Sequence, residues 1–329
     1  MAQGRLNSLQ PTLRALLVAF VLVTSACATR YAAEREHPGW VRANGDEPTE
    51  QDDVYGNKVA ADLQARYDDS QVDCGGASRP VVLCSGILFR ATVSSPDYHA
   101  WNPNPNNPKG TVSFSWLRHD AQFESLYLSR YTHGFVLIPL FYADRAGRLD
   151  PYYKMEVVCV YPIDADTDRR DRNGCGSHAL YPDTSRPCFE MGIDTAAKYV
   201  AYYQESPLFA YSCSIPVAIG DAHSAANFTM FIETIRGMGG MAFNWWNELL
   251  VREWPQDIHT TIPLEAFFYQ SGTGGIDGAR LDQIDFRAAS GKWLPIIRFN
   301  MPATIDDRAT FQYVPADQSR MPPGALPEP

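Results

Sequence analysis

The chain has 329 residues, 45% of them hydrophobic and 12% aromatic, enough for one large core or two small ones. Its formal net charge is -10, and acids and bases are interspersed apart from a short acidic stretch over 46–53. That balance excludes the basic stripe that nucleic acid selects, and it argues against electrostatic attachment to anionic lipid.

The first segment reads as an export signal. Arg5 and Arg14 accompany an apolar run over 15–23 (ALLVAFVLV) that is too short to span a bilayer. Residues 24–28 fit two processing routes. Ser25-Ala26-Cys27 resembles the bacterial lipobox, with Thr24 where leucine is usual, which makes Cys27 a lipidated first residue. Ala26-Cys27-Ala28 also fits an ordinary A-x-A cleavage site, which releases the protein. The lipobox is the preferred reading, so residues 1–27 are a signal peptide with a lipidation site. An outer-membrane lipoprotein or periplasmic protein is expected, with secretion as the alternative. Membrane contact is expected through the lipid anchor alone.

Residues 28–73 are polar and acidic and read as a tether or arm, with one helix over 58–67. The globular part is expected over 74–315, and 316–329, ending in MPPGALPEP, as a disordered tail. Apart from Cys27, six cysteines remain, an even set that reads as three disulfides in an exported protein. Proximity suggests Cys74–Cys84 and Cys175–Cys188, leaving Cys159–Cys213. No C-x-x-C or H-x-x-x-H spacing occurs, so no metal is expected.

Strand-length apolar runs recur through the globular part: VVLCSGILFRATV, GTVSFSWL, GFVLIPLFY, KMEVVCVYP, FAYSCSIPV, TIPLEAFFY and KWLPIIRF. Helical patterns lie between them. DAQFESLYLSRY has Asp120 placed as an N-cap; DTAAKYVAYYQ and HSAANFTMFIETIRGM come later in the chain. Mixed rather than alternating order predicts an α+β fold. GTGGIDG at 272–278 matches no dinucleotide fingerprint and reads as a surface loop. No G-x-S-x-G elbow is present, and the histidines are scattered.

Three stretches carry candidate chemistry. GILFRATVSSPD is a strand bearing Arg90, a salt-bridge partner or a fork for phosphate and ribose hydroxyls. KGTVSFSWLRHD alternates so that Ser113 and Ser115 share one face. WWNELLVREWP sets Glu248 directly behind Trp245, Trp246 and Asn247.

In that order the three stretches resemble the ADP-ribosyltransferase superfamily, in the branch of cholera and pertussis toxins. LFRAT resembles the family's arginine strand, and VSFSWLR its serine strand, with Phe114 at the centre where threonine is usual. NELLVREWPQDI followed by IPLEAFFY resembles its glutamate strand and the strand after it. The whole pattern is also similar to the secreted bacterial halovibrins. The overlap spans about residues 85 to 270, with 143–230 reading as an insert. The resemblance implies a split mixed β-sheet with flanking helices, and NAD as substrate without a metal. Glu248, Ser113 and Arg90 would be catalytic. Arg90, Ser115 and Trp246 or Trp245 would hold NAD. Trp246 stands where arginine-modifying members carry Glu or Gln, and Thr92 where an aspartate usually follows the first arginine.

These residue types suit nicotinamide–ribose cleavage, which passes through an oxocarbenium-like state that one carboxylate can stabilise. The products would be free ADP-ribose, or ADP-ribose transferred to a protein acceptor. The alternative is a non-enzymatic envelope lipoprotein whose stapled domain binds a partner.

Overall fold

A computed structural model describes residues 47–92, 111–124, 131–137, 157–164, 175, 187–205, 213–218, 220–252 and 264–320. All of them belong to one unit, Ala43–Pro329. The lipobox and Cys27 lie outside the described residues. No described helix is long and apolar enough to cross a membrane.

Among the described residues there are nine strands. They are β1 (Ile87–Thr92), β2 (Thr111–Leu117), β3 (His133–Leu137), β4 (Val157–Tyr161), β5 (Ile215–Pro216), β6 (Glu248–Arg252), β7 (Leu264–Gln270), β8 (Ile296–Asn300) and β9 (Thr310–Val314). They form one mixed sheet in the order β5-β4-β6-β2-β1-β3-β7-β8-β9. The pairs are antiparallel except β7 with β8. Among the described residues six α-helices accompany the sheet: α1 (Glu50–Asp68), α2 (Ala196–Glu205), α3 (Ser224–Met238), α4 (Gly240–Phe243), α5 (Ile276–Ser290) and α6 (Ala316–Ser319). The chain is therefore α+β, as the mixed order of elements predicts.

The two faces of the sheet are covered differently. The main core joins Leu88, Phe114, Trp116, Val160, Leu249, Phe267 and Ile296 to Tyr199 of α2, Phe228 and Phe231 of α3 and Phe286 of α5. On the other face, Val59, Leu63 and Tyr67 of α1 meet Phe89, Leu117, Phe268, Phe299 and Phe311. That second core sits over β1 and the strands towards β9. On the same face, β4 and β6 contribute a small cluster of Cys159, Tyr161 and Leu250.

Several expectations are corrected. Residues 50–68 are not part of a tether: Thr49 and Asp52 form a capping box, and the helix buries one side against the sheet. The helix runs eight residues further upstream than 58–67 because that cap lies in the acidic stretch. Within 143–230, β4 pairs with β6 inside the sheet. Residues 316–319 form α6 rather than a tail, with Ala316 and Ser319 buried. Asp120 caps no helix, because residues 118–124 are not helical and its carboxylate is taken by Arg118 and Arg236. GTGGIDG is a loop up to Gly275, and Ile276 opens α5.

The disulfides are Cys74–Cys84, Cys159–Cys175 and Cys188–Cys213. The first is the expected pair; the other two replace Cys175–Cys188 and Cys159–Cys213. The sheet decides this. Cys159 belongs to the small cluster with Tyr161 and Leu250, whereas Cys188 and Cys213 lie in the main core on the opposite face. A Cys159–Cys213 bond would have to pass through the sheet. A bridge between Pro187 and Ser214 instead brings the Cα atoms of Cys188 and Cys213 to 4.9 Å, within disulfide reach.

Candidate functional site

β2 changes partners along its length. Ser115 to Leu117 pair with Phe89 to Ile87 of β1, whereas Thr111 to Phe114 pair with Arg252 to Leu249 of β6. Beyond Phe89, β1 continues along β3 alone, so β1 and β2 part and a cleft opens between them. Its walls are Arg90, Ala91, Ser113, Phe114, Ser115, Tyr131, Asp164 and Trp246. It encloses about 500 Å³, counting the part open to solvent.

The parting strands have to be held in place. Asn247, 2% exposed, does so on the β6 side. Its side-chain oxygen accepts from the Trp116 N–H at 2.8 Å, and its amide donates to the Trp116 carbonyl at 2.7 Å. One side chain thus extends the ladder just before β6 begins, satisfying two buried backbone groups. Trp116 itself is fixed by Nε1 donating to the Ser85 carbonyl at 3.0 Å and by an edge-to-face contact with Phe228. Its indole lies against Gly86, where a Cβ would come within 2.2 Å. With φ at +71° as well, that turn requires glycine.

Glu248 follows Asn247 directly and is 1% exposed. In the register, Ser113 faces Leu250 and Glu248 lies diagonally from it on the same face. The Ser113 hydroxyl donates to Glu248 Oε1 at 2.6 Å, the short distance expected of a bond to a carboxylate. Arg90 reaches across the fork, and its Nη1 donates to the Ser113 carbonyl at 2.5 Å. Gly134 of β3 lets the arginine strand sit this close, since a Cβ there would stand 1.9 Å from the Arg90 carbonyl. Arg90, Ser113 and Glu248, from three separate stretches of sequence, are thereby linked side by side.

Ser115 lies in the cleft wall and is 8% exposed. The two tryptophans part company. Trp246 lines the cleft, its ring meeting Tyr131 edge to face at 6.3 Å. Trp245 packs against the main core and is not one of the cleft residues. Glu248 stands one hydrogen bond behind the wall, reaching the cleft through Ser113.

Two cleft residues are not marked by any sequence motif. Tyr131 is the last residue of the stretch that reads as a helix, and Asp164 lies in the segment that reads as an insert. Asp164 follows β4 by three residues, and its backbone N–H donates to the Trp246 carbonyl at 2.8 Å. The signal for Asp164 is the β4–β6 pairing, in which Tyr161 faces Glu248.

Among the described residues, no His, Cys, Asp and Glu side chains gather as metal ligands would. The arrangement can present to a sugar a hydroxyl backed by a carboxylate, with a guanidinium beside it for a hydroxyl or phosphate. No protein-family model matches the chain, and no curated protein matches it.

Proposed function

We propose that the chain is an exported enzyme of ADP-ribosyltransferase type that cleaves the nicotinamide–ribose bond of NAD. The observation that carries this reading is the Ser113–Glu248 hydrogen bond at the mouth of a strand fork whose other prong bears Arg90. The reading draws separately on the order of the arginine, serine and glutamate strands in the sequence.

In this reading nicotinamide departs with the electrons of the C–N bond, and positive charge grows on the ribose. Glu248, buried behind the wall, offsets that charge and orients the ribose 2′-hydroxyl through Ser113. Ser113 fixes the carboxylate rotamer. Arg90 meets phosphate or a ribose hydroxyl, Ser115 adds a donor at the wall, and Trp246 offers an indole face to nicotinamide. Trp245 keeps a packing role.

Nicotinamide release from NAD, measured with and without a protein acceptor, tests the reading. Wild-type protein should consume NAD. Glu248→Ala should lower turnover by at least about 10³-fold, the scale of losing a principal electrostatic stabiliser, while keeping its melting transition. A folded Glu248→Ala with wild-type turnover would refute the assignment.

A further inference from the structure

We propose that Asp164 is the base that activates the acceptor in this cleft, and that the acceptor is water. The inference rests on the NAD-cleaving reading and adds a residue to it.

Glu248 is committed on one oxygen to Ser113 and stands behind the wall. The position two before it, Trp246, offers an indole and no base. Of the side chains that line the cleft, Arg90 stays protonated, Ser113, Ser115 and Tyr131 offer hydroxyls, and Ala91 and Phe114 are apolar. Asp164 supplies the one carboxylate among the described residues that line the cleft. Its place is set by the fold: β4 pairs with β6 up to Tyr161 opposite Glu248, Ile163 is buried, and the Asp164 N–H then bonds to the Trp246 carbonyl. Asp164 is therefore stitched to the residue two before Glu248, although 84 positions separate 164 from 248 in sequence. Two carboxylates in different settings, one enclosed and one at the wall, can divide two roles.

In the proposed step the C1′–N bond breaks, and nicotinamide leaves as a neutral molecule with the bonding pair. The water oxygen bonds to C1′, and its proton passes to Asp164 and then to solvent. The products are ADP-ribose, nicotinamide and one proton. Trp246 and Tyr131 meet edge to face at the wall, and neither offers a base to an acceptor there.

The test measures kcat and KM for NAD in wild-type protein, Asp164→Asn and Asp164→Glu, each checked for a cooperative melt. Asp164→Asn should lower kcat by about 100-fold, the usual scale for losing a general base, with KM changed little. Asp164→Glu, which keeps a carboxylate, should recover part of the loss. Azide needs no deprotonation; added to Asp164→Asn, it should restore nicotinamide release and yield ADP-ribosyl azide. It should not rescue Glu248→Gln. Wild-type kcat in Asp164→Asn overturns the inference alone, and so does a rise in KM with unchanged kcat, which marks a binding or ion-pairing role. Failure of azide to rescue a folded Asp164→Asn also overturns it. No NAD cleavage by the wild-type protein overturns the underlying reading, and the inference with it.

Discussion

The two ends of β2 bury polar chemistry in opposite ways. At the C-terminal end, Arg118 is 2% exposed and its guanidinium nitrogens all meet protein acceptors. Nε and Nη2 pair with the two oxygens of Asp120 at 2.7 and 2.9 Å. Nη1 bonds to the Gln71 carbonyl and to Ser85. The guanidinium also lies 5.0 Å from the Trp116 ring, and Arg236 adds a second cation to Asp120. At the N-terminal end, Ser113 joins Arg90 and Glu248, but around an open cleft. A buried charge closed on the protein serves the fold, whereas one set at the edge of a space can meet a ligand.

Substitutions at the two ends should separate these roles. The largest effect belongs to the cleft, where Glu248→Ala removes turnover and leaves the melt. At the other end the effects should reverse. Arg118→Ala opens a buried bidentate pair and should cost about 3–5 kcal/mol. For a chain of this size that lowers the melting temperature by about 4–8 °C, while turnover per folded molecule is kept. An unchanged melt would show that the Arg118 knot contributes nothing to the fold.

Asn247 lies between the two ends and sharpens the contrast. Asn247→Ala strands the N–H and carbonyl of Trp116 in a dry interior, at a cost of about 1–3 kcal/mol per group. Denaturant unfolding should show that loss. Turnover should also fall, because Asn247 sets where β6 begins and hence where Glu248 stands. Full turnover with lowered stability would assign Asn247 to the fold alone.

A third buried pair predicts a smaller, pH-dependent effect. His133 Nε2 lies 3.6 Å from Asp282, beneath α5. Burial pushes the His133 pKa down to about 4, while burial and then the nearby Asp285 push Asp282 up to about 7. The two changes oppose each other. Between about pH 4 and 6.5 the folded pair holds its proton on Asp282, and the unfolded pair holds it on His133. Folding then exchanges no proton, so this pair adds no pH slope to stability. In Asp282→Asn only the depressed histidine remains, and the unfolded state binds more protons than the folded. Stability should then rise with pH across that window, by about 2 kcal/mol between pH 4.5 and 6. Denaturant unfolding of wild type and variant at those two pH values checks this; equal slopes would contradict it.

The range of each interaction decides how much of the fold and site is legible in sequence. Arg90, Ser113 and Glu248 stand on strands whose apolar character and order are local properties. Asp164 and Tyr131 enter the cleft through contacts over long separations, which no spacing rule reveals. Asp120 imitates an N-cap, but two arginines claim its carboxylate, one of them far along the chain. The helix α5 is hidden because Arg280 and Gln283 occupy buried positions on its inner side, breaking the apolar stripe that marks a helix. The strand β9 is short, and its buried Phe311 and Val314 alternate imperfectly with exposed residues. Two of the disulfide pairings are hidden for a related reason: distance along the chain says nothing about which face of a sheet a cysteine occupies.

Nicotinamide release by Glu248→Gln, measured beside calorimetric titration with NAD, tests the cleft most directly. Glutamine keeps the shape and can still accept from Ser113, but it carries no charge. NAD should bind the variant with near wild-type affinity while release falls by at least about 10³-fold. A folded Glu248→Gln that releases nicotinamide at the wild-type rate would contradict a charge-stabilising role for Glu248, and with it the proposed function.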